Sequence, residues 1–289
     1  MQSLGKTLRQ IRNQKNMSID DIIGDVISKS QISRFELGYS EITATTLIAI
    51  LDNLHVTLEE FNQLNPTKTQ TTQFLQSIPD LIESAELGDL AYLSNYLHRH
   101  HSSLSPLEIT MVRAMMATID PQYVPSPEEI SHFTDHLFSL DLWTNYEIVL
   151  LGNSISILTT ETIYQLTLST IKLFLNPKTS ITNRSMVIQL ANRTFLKCIE
   201  EKEITKARVL EKEIPILLRQ DHLYYEKNVF LYLQGYLQTV VGNTSGPEQM
   251  KDAIKVFSLL KEEKLARIYE EHYRNSIPMK HNESETDYK

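Results

Sequence analysis

Residues 28–38, Ser-Lys-Ser-Gln-Ile-Ser-Arg-Phe-Glu-Leu-Gly, leave this chain few conformational options. Ser28 is placed to N-cap a helix, and Gln31, three residues on, to reach back and close a capping box. Ile32 and Phe35 are spaced i,i+3 and anchor one face in a small core. Lys29, Ser30, Ser33 and Arg34 fall on the opposite side, and Gly38 suits a helix end at positive φ. The product is a short helix with an apolar inside and a polar outside that starts at its N-terminus. A helix lying in the major groove of DNA needs that arrangement, because its first turns reach base edges while free N–H groups meet phosphate.

Four more short helices are expected around it. The first runs from about Ser3 to Lys15, with Leu4, Leu8 and Ile11 inward and Lys6, Arg9, Arg12 and Lys15 outward. The second starts at an N-cap Ser18, with Asp21 three residues on, and buries Ile22, Ile23 and Val26. The fourth starts near Thr43 and carries Leu47, Ile50, Leu51 and Leu54. The fifth, Thr57 to Leu64, opens on the capping-box pattern Thr-Leu-Glu-Glu. All six cations of residues 1–64 lie in the first 34, so a local basic face coexists with a domain of net charge −2. Lys29, Ser30 and Arg34 are the first candidates for base-edge contact, with Gln31 and Ser33 next. Arg34 suits guanine, and Gln31, released from its cap, suits adenine. Arg9, Arg12 and Lys15 read either as phosphate contacts or as pairs within the domain. An ordinary surface helix in a bundle is the plainer reading of 28–38; the ordered set of five helices favours DNA.

Composition sets the class. In 289 residues there are only 10 Pro and 8 Gly, which disfavours an all-β or disordered chain and leaves an all-α one. A net charge of −8 argues against nonspecific coating of nucleic acid. The single cysteine, Cys198, excludes a disulfide framework and points to a reducing compartment. The N-terminal segment opens an amphipathic helix rather than an apolar signal. No apolar run approaches the roughly 18–20 residues that span a bilayer, so no membrane role and a cytoplasmic location are expected.

The expected organisation is a helix-turn-helix domain at 1–64, a polar proline-containing linker at 65–72, a helical-repeat domain at 73–278 and a polar tail at 279–289. Breaks at Gly88, Ser105-Pro106, Asp120-Pro121, Pro125 to Pro127, Gly152-Asn153, Asn176-Pro177, Asp221, Gly242 to Pro247 and Pro278 divide the second domain into ten or eleven helices. Antiparallel pairs of that size resemble tetratricopeptide-type stacking, which makes a solenoid with a concave binding face.

No phosphate loop, dinucleotide fingerprint or nucleophile elbow is present, so neither an enzyme nor a cofactor is expected. Asn192 and Arg193, Tyr224 and Tyr225, and Tyr232 and Tyr236 recur at helical spacing. Asn pairs with the amides of a peptide, and Tyr offers flat apolar surface with a polar tip. Core packing is the plainer reading of the i,i+4 tyrosines, and helix termination that of Asn153. His98, His100 and His101 read as a solvated helix end rather than a metal site. His132 and His136 flank Phe133, where a zinc protease needs glutamate. Cys198 reads as a buried apolar filler.

Ile-Arg at 11–12, Met-Ser at 17–18 and Ile-Ser-Arg-Phe-Glu-x-Gly at 32–38 resemble the lambda-repressor-like (Xre) helix-turn-helix family. More specifically, Leu-Gly-Lys-Thr-Leu-Arg-Gln-Ile-Arg at 4–12, Ser-Lys-Ser-Gln-Ile-Ser-Arg-Phe-Glu at 28–36 and Ser-Glu-Ile at 40–42 resemble the Rgg family of Gram-positive regulators. So do Tyr-Glu-Ile-Val-Leu-Leu-Gly-Asn at 146–153, Tyr-Glu-Lys-Asn-Val-Phe-Leu-Tyr at 225–232 and Tyr-Glu-Glu-His-Tyr-Arg at 269–274. The resemblance implies a homodimer with paired DNA-binding domains on promoter DNA. It also implies a helical-repeat domain that receives a short, often hydrophobic signalling peptide, as in quorum sensing. Peptide contact is then expected at Asn153, Asn192, Arg193, Tyr225 and Tyr232. Many relatives continue the Gly-Asn motif into an arginine, where this chain has Ser154-Ile155-Ser156; some carry a cysteine where it has Ala44. In the expected mechanism the peptide shifts the two DNA-binding domains or their contacts with RNA polymerase. A protein-interaction adaptor with secondary DNA binding is the alternative.

Overall fold

Short helices have many ends, and each N-terminal end leaves amide N–H groups that need acceptors. In the computed structural model, which describes residues 4–24, 27–66, 68–175, 184–219 and 222–276, polar side chains meet that need at most starts. The chain divides into two units, Met1–Ser77 and Ile78–Lys289. All regular structure among the described residues is helical.

The first unit holds α1 (Leu4–Gln14), α2 (Ile19–Ile23), α3 (Lys29–Glu36), α4 (Ala44–Asn53) and α5 (Leu58–Leu64). Ser18 with Asp21, Ser28 with Gln31, and Thr57 with Glu60 close capping boxes at the starts of α2, α3 and α5. The Ser18 hydroxyl holds the Asp21 carboxyl below its usual range, and the Thr57 amide does the same for Glu60. Helix α3 ends as expected: Gly38 has φ 80°, and the Tyr39 amide donates to the Arg34 carbonyl at 2.8 Å. Leu8, Ile11, Ile22, Ile32, Phe35 and Phe61 meet with the apolar face of α4 in one core. Ile23 is only half-buried, and Val26 lies outside the described residues. Gly5 has a packing reason: a Cβ there would fall 1.9 Å from the Phe35 carbonyl oxygen, so α1 meets the end of α3 backbone to backbone.

One buried ion pair joins the same two helices. The Arg12 guanidinium donates from Nε and Nη2 to the two Glu36 carboxylate oxygens, each at 2.7 Å, and from Nη1 to the Met17 carbonyl at 2.9 Å. Of the two roles that the sequence leaves for Arg12, the structure places it in the pair within the domain.

Helix α6 (Gln70–Glu86) starts within the stretch read as linker and contains Pro79. The second unit continues with α7 (Leu90–His100), α8 (Pro106–Ala117), α9 (Pro127–Phe138), α10 (Asn145–Gly152) and α11 (Thr160–Leu175). It closes with α12 (Arg184–Glu200), α13 (Ile204–Leu217), α14 (Tyr224–Val240), α15 (Gly246–Leu259) and α16 (Glu263–Ser276). Ser-Pro-x-Glu boxes start α8 and α9, each with proline at the first helical position, where its missing N–H costs nothing. The Ser126 amide is the main cause of a lowered Glu129 carboxyl pKa, with Arg113 adding to it. Helices α8, α10, α12 and α14 touch in series and form one layer, while α9 and α11 pack beside each other behind it. This is helical-repeat stacking. Gly235 and Gly246 let α14 and α15 close on each other, since a Cβ on Gly246 would meet the Thr239 hydroxyl at 2.4 Å.

Three breaks lack a signal in the expected series: 139–144, and the turns at Lys202 and Lys261. The two lysines take left-handed φ values of 60° and 62°, where glycine is the usual occupant. The expected breaks at Asn176-Pro177, Asp221 and Pro278, the start at Ser3 and the tail at 279–289 lie outside the described residues.

Removing one member of the buried pair, Glu36→Ala, is expected to cost about 3–5 kcal/mol, because Arg12 is left charged and unpaired. Lys29 pairs with Asp20 at 2.6 Å, but both are well exposed. Asp20→Ala should therefore cost no more than about 1 kcal/mol. Urea unfolding of the full chain, followed by circular dichroism, measures both.

Candidate functional site

Two surfaces carry the residues singled out by sequence, one on each unit. On the first, α3 presents Lys29, Ser30, Gln31 and Arg34 to solvent, with Ser33 half-buried. Arg34 and Arg9 are exposed and make no hydrogen bond or ion pair among the described residues. Lys29 is held by Asp20, and Lys15 Nζ donates to the His55 carbonyl at 3.3 Å. Gln31 stays in its cap, its Oε1 accepting from the Ser28 amide at 3.3 Å, and the Ser28 and Ser30 hydroxyls lie 3.1 Å apart. Exposed partners of this kind exchange readily with water or phosphate. The first unit therefore carries two free guanidinium groups and two weakly held ammonium groups.

On the second unit a groove follows the layer of even-numbered helices. One cavity of about 440 Å³ lies between α6, α8, the end of α10 and α12. Its walls carry Met115, Asn153, Ile155, Lys197 and Glu200. A second, of about 270 Å³, lies between α12, α14 and α16. Its walls are mainly aromatic and aliphatic: Tyr225, Val229, Tyr232, Leu265, Ile268 and Tyr269. Glu86, Arg193 and Leu196 line both, so Arg193 stands at the junction.

The structure thus brings all five sequence candidates of this unit to the groove, on different terms. Asn153 is the C-cap of α10, and its Nδ2 donates to the Val149 carbonyl at 2.8 Å. Asn192 is 3% exposed; its Nδ2 reaches the Glu226 carbonyl at 3.4 Å, and its Oδ1 is buried without a hydrogen-bond partner. Arg193 is exposed and donates from Nη1 to the Gly152 carbonyl at 2.9 Å. Tyr225 keeps 41% of its surface exposed. Tyr232 is fully buried, and its hydroxyl donates to the Tyr269 carbonyl at 3.1 Å with His272 Nδ1 2.7 Å away. Burial raises the phenol pKa of Tyr225 and Tyr269, and the charge of Arg193 draws both part of the way back.

Sequence reasoning missed the wall formed by α16. Leu265, Ile268, Tyr269 and His272 follow i, i+3, i+4, i+7, so the period was available. What the period does not tell is whether such a stripe faces a core or a cavity. Glu86, Lys197 and Glu200 carry no local signal at all.

The remaining chemistry-bearing residues stay apart from the groove. His98 and His100 lie exposed in the last turn of α7, with His101 at its end, and no three metal-binding side chains cluster among the described residues. Cys198 is buried on α12, and burial pushes its thiol up to about 11. The thiolate being the reactive form, native protein at pH 8 should resist an aromatic disulfide reagent and react only on unfolding; a rapid single-thiol reaction would contradict the packing.

Comparison with known proteins agrees with this architecture. Residues 90–271 match the C-terminal domain of the HTH-type transcriptional regulator Rgg, and residues 8–61 match a helix-turn-helix family. The SHP pheromone receptor Rgg2 of Streptococcus dysgalactiae is 35% identical, with a TM-score of 0.83 over 94% of this chain and all of that one. A protein of Listeria monocytogenes EGD-e has the same fold, with 21% identity and a TM-score of 0.78 over 96% of this chain and 98% of that one. PrgX in complex with cCF10 shares the fold at 16% identity, with a TM-score of 0.68 over 95% and 99%. No described helix is long and apolar enough to cross a membrane.

Proposed function

We propose, for a chain that belongs to the Rgg family of helix-turn-helix transcriptional regulators, that it works in the cytoplasm as a peptide-responsive regulator of promoter DNA. A homodimer holds two copies of α3 about one helical turn apart on an inverted repeat. A short signalling peptide occupies the groove of the helical unit. Residues 1–64 act in DNA binding, and the helical unit that follows acts in peptide binding and dimerisation.

The observation that carries this reading is the groove itself. It combines aromatic and aliphatic walls, a buried acceptor at Asn192 and an exposed guanidinium at Arg193. A peptide supplies the complement of each: apolar side chains, amide donors and carboxylates. The 35% identical Rgg2 is a pheromone receptor, which supports the same ligand class here. The helical unit acts by binding rather than catalysis. Its peptide moves the paired DNA-binding domains, or their contacts with RNA polymerase, by favouring one dimer arrangement over another.

On the DNA side, Arg34 and Arg9 arrive free, so neither gives up an internal bond on binding. Arg34→Ala is expected to cost roughly 1–3 kcal/mol on the native promoter and to relax preference at one base pair. Arg9→Ala should weaken all sequences alike and reduce the salt dependence by about one counterion. Competition binding at several salt concentrations separates the two effects; equal affinity of Arg34→Ala and the parent chain for the native promoter would reject base reading by that residue. On the peptide side, titration with short synthetic peptides encoded by genes next to its own should give saturable binding. No response to any of them, with a folded protein co-purifying instead, would favour an adaptor.

A further inference from the structure

Most charged side chains around the groove have a side-chain partner among the described residues, and Arg193 has none. Lys264 Nζ lies 2.9 Å from Glu86, and Lys197 Nζ lies 3.0 Å from Glu201. Glu200 faces His272 at 3.8 Å, and Glu226 accepts from the Ser185 hydroxyl and from Gln189 Nε2. Arg193 makes no ion pair among the described residues, and its hydrogen bond goes to a neutral carbonyl. A guanidinium carries five donors in a planar fork, and a single carbonyl uses one of them. The cation at the junction of the two cavities is therefore underused.

The residue before it on α12 has the opposite deficiency. Asn192 lines the aromatic cavity, and its Oδ1 is sealed from water without a donor. A buried acceptor in that state costs free energy, and a turn of the carboxamide towards the cavity, which gives up only the long 3.4 Å bond to Glu226, brings it to a ligand N–H. Beside it stand the exposed faces of Tyr225 and Ile268 and the half-buried Leu265.

These three needs can be met by one amino-acid residue. The last residue of a peptide carries an N–H, a side chain and a free carboxylate on one Cα. We infer that the groove recognises the C-terminal residue of its ligand: an apolar side chain enters the aromatic cavity, its amide donates to Asn192 Oδ1, and its terminal carboxylate accepts from Arg193. A side-chain carboxylate would satisfy Arg193 but would place the N–H and the apolar group on other residues. The inference rests on the peptide-receptor reading and adds the polarity and end-group chemistry of the ligand. No covalent step is involved.

The test uses the full-length protein and one pool of synthetic octapeptides, randomised over Gly, Val, Ile, Leu, Phe, Tyr, Asp and Glu. The pool is made once with a free C-terminal acid and once with a C-terminal amide. Peptides retained by the protein are identified by mass spectrometry, and the retained sequences are resynthesised in both forms for titration. The expected result is a preference of at least about ten-fold for the acid form, the scale of a hydrogen bond to a charged group. Retained peptides should end in Ile, Leu, Phe, Tyr or Val. Arg193→Gln, an exposed substitution, should abolish the acid preference so that the acid and amide forms bind alike, and Arg193→Lys should restore part of the preference. Equal binding of both forms would overturn the inference and leave the peptide reading intact, as would amide peptides selected for internal Asp or Glu. Retention of neither pool would overturn both readings.

Discussion

A chain made only of helices must solve the same electrostatic problem at every helix start. Four N–H groups point outward with no intrahelical acceptor, and any of them that become buried cost free energy. This protein answers repeatedly with the same device, a Ser or Thr cap and an acidic or amide side chain three residues later. It appears at Ser18, Ser28 and Thr57 in the first unit, and at Ser105, Ser126 and Thr144 in the second. Because the caps set where each helix begins, they also set which residues occupy its inner face. The recognition helix shows the consequence: starting α3 at Lys29 puts Ile32 and Phe35 inside and Arg34 outside.

Function then depends on what is left unpaired. Within the first unit, Arg12 is committed to Glu36, and it serves the domain by tying α1 to α3. Arg34 and Arg9 have no such commitment, so their charge is available to phosphate or base edges. The second unit repeats the distinction on one helix. On α12, Thr194 shares a hydrogen bond with Thr167 of α11, and Cys198 is enclosed. On another face of α12, Asn192 and Arg193 retain unmet acceptor and donor capacity at the groove. One helix can do both because its faces turn by 100° per residue, so neighbours in sequence meet different surroundings.

The groove also explains why the helical unit has two kinds of aromatic residue. Tyr232 is a wall support: its ring is buried, and its hydroxyl joins α14 to α16 through the Tyr269 carbonyl and His272. Tyr225, two turns away on α14, keeps much of its ring exposed. The i,i+4 pair Tyr232 and Tyr236 is buried, which matches the plainer core reading of that spacing.

Much of this was available from residue order alone. Capping patterns, the i,i+3 and i,i+4 apolar stripes and the Pro and Gly breaks are local, so they predict five short helices in residues 1–64 and ten or eleven beyond the linker, where the described residues form eleven. The α12 and α14 candidates are legible for the same reason, since their Asn, Arg and Tyr recur at helical spacing. The breaks at Lys202 and Lys261 were not legible, because a lysine gives no warning that packing will hold it at positive φ. Nor could spacing choose between pairing and exposure for Arg12, as Glu36 lies 24 residues away. The same limit hid α16, Glu86 and Lys197 as parts of the groove. Local sequence determined where helices start, stop and turn their apolar faces; only tertiary contact decided which polar groups find partners across the fold and which remain for a ligand.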